Sequence, residues 1–287
     1  QGGRAVVKSA GEVGKTTIVY SDPTAASGST FVDAVDPTGA LSGMGSVCFN
    51  GFAGVGSGGT RTNQSVTSAP YERTYTIGTA PITMSGSKNI QVIDNAINSL
   101  FTSVVTTSDS AAPTGMSLAL SAGTSNVYQT AASVTVTASG ATDAGSGLAG
   151  YSWSATGATT ASGSGATTDA ITAEGTTTVT FTATDNVGNS TTSTAIVKLD
   201  RTSPTAGAAS ISESSSALYA TGTTLYYNGA TAGGEGFTVS LTPSDGGAGI
   251  ASVTFPTIAG LGSGATNGTT DSTDPYSRAY LFGPGAL

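Results

Sequence analysis

The chain has 287 residues, of which only 9% are charged, and its formal net charge is −8 at pH 7. Its nine lysines and arginines are too few for a nucleic-acid partner or an anionic membrane, because both require clustered positive charge. Histidine is absent, which removes the commonest general base and the commonest metal ligand.

The rest of the composition favours a protein outside the cell. A single cysteine, Cys48, excludes an internal disulfide framework, and Ser/Thr/Gly-rich β-domains with scarce cysteine are common on bacterial and archaeal surfaces. No apolar run approaches the roughly 18 residues of a membrane-spanning helix. The chain begins at Gln1 without an initiator methionine or a signal-like segment. We therefore expect either an upstream segment that is removed or a piece of a larger protein.

The first motif, "SAGEVGKTT" at residues 9–17, resembles the end of a phosphate-binding loop. Such a loop needs a glycine five positions before Gly14, and Ser9 stands there. The following "TTIVYSD" has the composition of a strand. Since "YATGTTLYY" holds the corresponding place later in the chain, we interpret the motif as a turn leading into a strand.

The chain contains three copies of one unit. Residues 92–114 align without gaps to residues 183–205, so that Asp94 corresponds to Asp185 and Pro113 to Pro204. A second element, "SGMGSVCF", "SGLAGYSW" or "AGIASVTF", occurs once in each copy and ends in Phe49, Trp153 or Phe255. Copies one and three are similar again at residues 69–78 and 274–283. Recurrence in the same order indicates tandem modules.

The pattern within each copy predicts strands. Residues 133–138, 176–184 and 236–243 alternate apolar residues with Thr or Ser, as in half-buried strands. Turn signals such as "DNVGN" and "DGGAG" separate these runs at sandwich-like intervals. One segment leaves a helix possible, since its apolar residues also fit helical spacing: Ile93, Ile97, Leu100, Phe101 and Val104. Its alignment to "DNVGNSTTSTAIV" favours two strands around a turn.

The domain boundaries follow from the tail "D-x-x-x-P-T", because proline ends a strand and stiffens the passage to the next module. We predict domains at 1–113, 114–204 and 205–287. Leu287 is the counterpart of Ile82, so the third domain is expected to lack its last two strands. Those strands would follow in a longer chain, or a neighbouring subunit would donate them to the open sheet edge.

These motifs resemble the bacterial immunoglobulin-like (Big-type) repeats of large secreted and surface proteins. The resemblance rests on "TFTATDNVGNSTTSTAIVKLDRTSPT" and "ATDAGSGLAGYSW", and covers most of the chain. The first copy departs from it, since "DNAIN" has Ile97 where the turn glycine belongs. The resemblance implies an all-β fold of tandem immunoglobulin-like antiparallel β-sandwiches, used as a spacer, stalk, adhesin segment or filament subunit.

No combination of side chains predicts catalysis or a cofactor, so we expect no enzymatic activity. A serine nucleophile would need a base, and without histidine only a carboxylate or one of the chain's few lysines could serve. Calcium is the alternative left open, with Asp94 and Asp109 near one hairpin and linker and Asp185 and Asp200 near the next. Some resembling adhesin modules rigidify their linkers with this ion. The other interpretation is that these residues, like Asp36, Asp143 and Asp245, only cap turns.

Aromatic residues allow a second binding hypothesis. Phe49, Tyr151, Trp153 and Phe255 could form a sugar-stacking face, but their recurrence in each repeat favours the sandwich core. Cys48 would be a small apolar filler beside Phe49. The function predicted is an extracellular structural protein, a surface filament, stalk or adhesin segment, whose partners are copies of itself, adjacent repeats or a surface or carbohydrate receptor. The alternative is an accessory binding module of a larger secreted enzyme or a viral fibre protein.

Overall fold

The computed structural model describes residues 6–9, 15–20, 30–34, 44–68, 71–79, 83–228, 234–263 and 268–283. Every regular element in these ranges is a β-strand, which confirms the predicted all-β class. The chain divides into two compact units. One comprises Gln1–Ser125, Val134–Ile171 and Thr177–Val197, and the other comprises Asn126–Ser133, Thr172–Thr176 and Lys198–Leu287. The domain boundaries at 113/114 and 204/205 stay a prediction.

The described residues of the first repeat form eight strands in two sheets. One sheet has the order β1-β2-β8-β7-β4-β5, and the other is the pair β3-β6. Strand β2 pairs in parallel with β8, whereas the other neighbours are antiparallel. The strands are β1 (Val6–Ser9), β2 (Lys15–Tyr20), β3 (Thr30–Ala34), β4 (Met44–Phe49), β5 (Gln64–Val66), β6 (Glu72–Thr76), β7 (Gly86–Asp94) and β8 (Ser99–Ser108).

The core of this repeat joins the two sheets. Val47 and Phe49 of β4, Ile90 of β7 and Val104 of β8 form one buried cluster with Tyr75 of β6. Full burial of each such side chain stabilises the fold by about 1.5–3 kcal/mol. The first repeat is therefore a β-sandwich.

The second repeat contains seven strands. Strands β15, β14, β12 and β13 lie in that order in one sheet, β10 pairs in parallel with the last two residues of β15, and β9 pairs with β11. In β14 every second residue from Thr177 to Asp185 is buried, as a strand with one face on a core requires. The strands are β9 (Ser117–Leu120), β10 (Tyr128–Gln129), β11 (Val136–Ser139), β12 (Leu148–Gly157), β13 (Ala161–Ser164), β14 (Gly175–Asp185) and β15 (Ser190–Leu199).

Where the structure describes it, the third repeat forms three small antiparallel sheets, with the orders β16-β19-β22, β17-β18 and β20-β21. Its buried core includes Leu218, Phe237, Phe255 and Tyr280, which come from all three sheets or their ends. The strands are β16 (Ala209–Glu213), β17 (Leu218–Thr221), β18 (Thr224–Tyr227), β19 (Gly236–Leu241), β20 (Val253–Thr254), β21 (Thr270–Asp271) and β22 (Ser277–Leu281).

The segment with two possible structures is a hairpin. Strands β7 and β8 pair around the turn at residues 95–98, so the helical alternative is wrong. The hairpin prevails because the strands on either side, β4 and β2, pair with it along most of its length. The phosphate-loop-like segment continues into strand β2 at Lys15, and residues 10–14 lie outside the described ranges.

The similarity between the first and third repeats extends to a hydrogen bond. The hydroxyl of Tyr75 on β6 donates to the carbonyl of Asn50 at 2.9 Å. The hydroxyl of Tyr280 on β22 donates to the carbonyl of Pro256 at 2.8 Å. Asn50 and Pro256 directly follow Phe49 and Phe255, the residues that the sequence comparison aligned. The two repeats therefore share this tyrosine contact, although their strands form different sheets.

Candidate metal centre

The tail of the first repeat carries a buried carboxylate. Asp109 directly follows β8 and is 4% exposed. One carboxylate oxygen accepts the backbone N–H of Ala111 at 3.1 Å, as aspartate does when it caps its own turn. The other accepts the N–H of Ser146 at 2.6 Å, which belongs to the second repeat. The carboxylate thus joins a tail to the turn of the following repeat.

Two further carboxylates come from the second repeat. Asp143 lies in the turn before β12 and accepts the N–H of Gly147 at 2.7 Å. Asp185 ends β14, is 2% exposed, and its Oδ1 accepts three N–H groups of the following hairpin turn, at 2.6–3.0 Å. Each aspartate is held in its position by a turn that it caps.

These three aspartates form a cluster. Asp109, Asp143 and Asp185 each place one carboxylate oxygen within 4.8 Å of the others. Asn189 lies beside them, since its side-chain amide donates to Asp185 Oδ2 at 2.7 Å and to the Asp109 carbonyl at 3.1 Å. Within the part of the chain that the structure describes, none of the three carboxylates forms a salt bridge. The result is a mostly buried group of hard oxygen ligands without a compensating positive charge.

The close approach of Asp109 requires a glycine. A Cβ built at Gly145 would overlap the carboxylate of Asp109. Burial raises the pKa of the Asp109 carboxyl, but hydrogen bonds from the Ser146 side chain and from the Ser146 and Ala111 N–H groups outweigh burial, so its pKa lies below the ordinary value of 3.8. Asp109 is therefore ionised at neutral pH, the state in which a carboxylate can bind a cation.

The next tail makes the same contact. Asp200 follows β15, and its Oδ2 accepts the N–H of Ala248 at 2.6 Å. Asp245 accepts the N–H groups of Gly247 and Gly249 at 3.1 and 2.8 Å, as Asp143 accepts that of Gly147. A Cβ at Gly247 would overlap the Asp200 carboxylate. Among the described residues this second site contains no third carboxylate within ligand distance.

The structure places the four candidate aspartates differently from the sequence hypothesis. Asp94 and Asp109 stand at opposite ends of β8, whose ten residues span about 30 Å. The ten residues of β15 separate Asp185 from Asp200 in the same way. The structure brings Asp109 to Asp185 of the following repeat, and calcium binding by the four candidate aspartates stays a prediction.

Asp143 is the residue of this cluster that the sequence hypothesis assigned only to a turn. A signal for it existed, because β12 follows Asp143 and pairs with β14, which places Leu148 opposite Asp185. Asp94 caps the β7–β8 turn, where its carboxylate accepts the N–H groups of Ala96 and Asn98 at 2.9 and 2.8 Å. Asp36 lies outside the described residues.

The aromatic residues proposed as a sugar-stacking face belong to the core. Phe49, Trp153 and Phe255 are buried, and Tyr151 is half-buried with its hydroxyl accepting the N–H of Ala141 at 3.1 Å. Gly163 lies against the indole of Trp153, where a Cβ would come within 2.8 Å. The core interpretation is confirmed for Phe49, Trp153 and Phe255. Cys48 is a half-buried free thiol on β4.

No protein-family model matches the chain, and no curated protein matches it. The chain is similar to the fibronectin(III)-like modules of CbhA from Clostridium thermocellum, with 18% identity over 69% of this chain and 96% of that one, and a TM-score of 0.33. A tetra-tandem repeat in the extending region of a large adhesion protein matches with 17% identity over 96% and 67% of the two chains, and a TM-score of 0.28.

A 1.5-MDa bacterial ice-binding adhesin matches with 17% identity over 91% of this chain and 82% of that one, and a TM-score of 0.38. At TM-scores below 0.5, these similarities add nothing to the fold class that the chain's own strands give. Among the described residues, none belongs to a helix that is long and apolar enough to cross a membrane.

Proposed function

We propose that this chain is a segment of an extracellular structural protein, in which tandem immunoglobulin-like modules of the bacterial Big type form a stalk, filament or adhesin extension. The observation that carries the proposal is the recurrent tail contact. Asp109 binds the Ser146 N–H, and Asp200 binds the Ala248 N–H, each at 2.6 Å. A tandem array needs a contact of this kind after every module, and here the residues that form it recur with the repeat.

The energetics of the contact suit a spacer. A hydrogen bond to a charged group contributes about 1.5–3 kcal/mol, and at the buried Asp109–Ser146 contact a partner left unsatisfied adds a penalty. Breaking the contact would therefore cost free energy at each tail. Modules that bury their own cores and contact mainly their neighbours form an array whose length increases with the number of modules. This arrangement supports a role as a stalk or spacer. In this proposal the chain acts mechanically and has no catalytic role.

The location and role can be tested on the source cells. Antibodies raised against the chain should label the outer surface of intact cells or filaments that extend from it, and external protease should remove the label. Labelling that requires permeabilised cells would contradict an extracellular stalk. Label on virus particles alone would favour a fibre protein.

We further propose that the cluster of Asp109, Asp143 and Asp185 holds a calcium ion. Calcium takes six to eight oxygen ligands, and the cluster supplies carboxylates from both sides of the tail contact, with water completing the set. Support comes from the burial of Asp109 and Asp185 without a salt bridge in the described part of the chain. A bound cation would offset the repulsion of three neighbouring carboxylates.

The test is a calcium titration followed by thermal unfolding. Calcium should raise the unfolding temperature of the chain, and chelation should lower it again. Asp143→Asn keeps an oxygen that can accept the Gly147 N–H but removes one charge, so the calcium-dependent rise should shrink or vanish. Asp94→Asn is the matched control, because Asp94 caps a similar turn about 30 Å from Asp109. An identical calcium response in wild type and Asp143→Asn would rule out the site.

A further inference from the structure

The β17–β18 hairpin of the third repeat exposes a pair of tyrosines. Its two strands join through a two-residue turn, in which Gly222 has φ 59°, as this tight hairpin requires. The register places Tyr219 directly opposite Tyr226. These side chains are 63% and 59% exposed, whereas Leu218 is buried. The hairpin thus has an apolar inner face and an aromatic outer face.

The two rings lie side by side. Their centroids are 6.3 Å apart and their planes are inclined by 31°. The outer face continues with Thr221 and Thr224, which are opposite each other, exposed, and two residues from the tyrosines on their strands. Two aromatic surfaces are therefore bordered by two hydroxyl groups that can donate or accept hydrogen bonds.

The first repeat has no tyrosine pair at the corresponding place. In the first repeat the corresponding hairpin is β1–β2, and the residues paired at the corresponding register are Val6 and Val19. A cross-strand pair contributes only about 0.2–1 kcal/mol, which β-branched residues provide as well as aromatic ones. The exposed tyrosine pair is therefore a feature of the third repeat that the first repeat does not share.

Size and charge decide which ligand fits. A whole tyrosine side chain has an area of about 150–250 Å². At their exposed fractions, Tyr219 and Tyr226 together offer about 250 Å² of accessible surface. Each partner in a stable protein complex buries roughly 800 Å², which is far more. Residues 214–228 include no charged side chain, although the chain has a net charge of −8. A small, flat and uncharged ligand matches this face better than a protein or an ion.

We propose that Tyr219 and Tyr226 bind a neutral glycan whose sugar rings present flat C–H faces, as β-1,4-linked glucose units do. The π-face of a tyrosine ring is electron-rich and attracts the slightly positive C–H groups of a pyranose. Thr221 and Thr224 would contact the hydroxyl groups at the ring edges. This inference goes beyond the mechanical role proposed above and does not depend on it.

The experiment uses the whole chain, with cellohexaose as the probe. Titration followed by ¹H–¹⁵N NMR should give saturable shifts of the amides of residues 217–228, and the affinity should be insensitive to salt. Tyr219→Thr and Tyr226→Thr should each weaken binding at least tenfold. Threonine is a good strand former, so both variants should keep the hairpin.

Phe101→Thr is the matched control, because Phe101 is an exposed aromatic residue of the first repeat. This variant should bind like wild type. The proposal is overturned if cellohexaose gives no saturable shifts, if either tyrosine variant binds as tightly as wild type while its spectrum shows an intact hairpin, or if salt abolishes binding.

Discussion

Ile97 adopts a backbone conformation that its side chain disfavours. It lies in the β7–β8 turn with φ 70°, in the left-handed region, and its side chain is 84% exposed. In the second repeat the same turn position, three residues after the capping aspartate, is Gly188 with φ 102°. Both turns are closed by the same backbone hydrogen bond. The N–H of Asp94 donates to the carbonyl of Asn98, and the N–H of Asp185 donates to the carbonyl of Asn189, each at 3.0 Å. We predict that Ile97→Gly stabilises the hairpin.

The magnitude follows from two opposing terms. The left-handed conformation costs an L-residue about 1–2 kcal/mol, and a β-branched residue lies at the upper end. Glycine removes this cost but loses about 0.5–1 kcal/mol because its unfolded chain is more flexible. The exposed isoleucine side chain gives up little burial when it is removed. The net gain is therefore about 0.5–1 kcal/mol.

Hydrogen–deuterium exchange of peptides from residues 86–108 measures this gain locally. Protection of the hairpin amides should rise about two- to fivefold in Ile97→Gly. Ile97→Ala keeps a Cβ and should gain much less, while Gly188→Ala should lower protection of the β14–β15 hairpin. Unchanged or faster exchange in Ile97→Gly would refute the strain argument.

Three further predictions concern packing, a hydroxyl and acid stability. Gly145→Ala should destabilise the chain by about 1–3 kcal/mol in urea unfolding, because its Cβ overlaps the Asp109 carboxylate, whereas Gly246→Ala, with no atom within 4 Å of its Cβ, should be neutral. Tyr75→Phe and Tyr280→Phe should each cost about 0.5–1.5 kcal/mol, and no loss in either would mean that the shared hydrogen bond contributes nothing. Hydrogen bonds from the Ser277 and Thr273 N–H groups hold the pKa of Asp271 below 3.8, so its stabilisation is complete above pH 3.8 and is lost as the pH falls through the lower, folded-state pKa. Urea unfolding between pH 2 and 6 should show this loss in wild type and a reduced loss in Asp271→Asn.

The alternating pattern predicted the strands because burial on one face imposes a period of two. In β14 the buried residues recur at every second position, and the predicted strand at 176–184 lies within it. The "DNVGN" turn was predicted for a similar reason, since Asp185 and Gly188 satisfy local requirements of the backbone. Local rules of this kind can be recognised in a sequence.

The site could not be predicted in the same way, because its contacts join distant residues. Asp109 meets Ser146, which is 37 positions away and in the next repeat. Spacing within one repeat suggested pairs that a ten-residue strand separates. The exposed face of the β17–β18 hairpin could not be predicted either. Leu218 and Tyr219 are neighbouring large side chains that can both be buried, and the position of the core decides which of them is exposed.

The parallel ladder between β2 and β8 has a mechanical consequence. β2 lies near the start of the first repeat and β8 near its end, and they pair over six residues, from Lys15 opposite Ser103 to Tyr20 opposite Ser108. Tension that pulls the two ends of the repeat apart would slide these parallel strands past each other. All the ladder's hydrogen bonds would then share the load and would have to break together, whereas a hairpin pulled open at one end loses them singly. The β2–β8 ladder therefore gives the first repeat its resistance to unfolding when the chain is stretched.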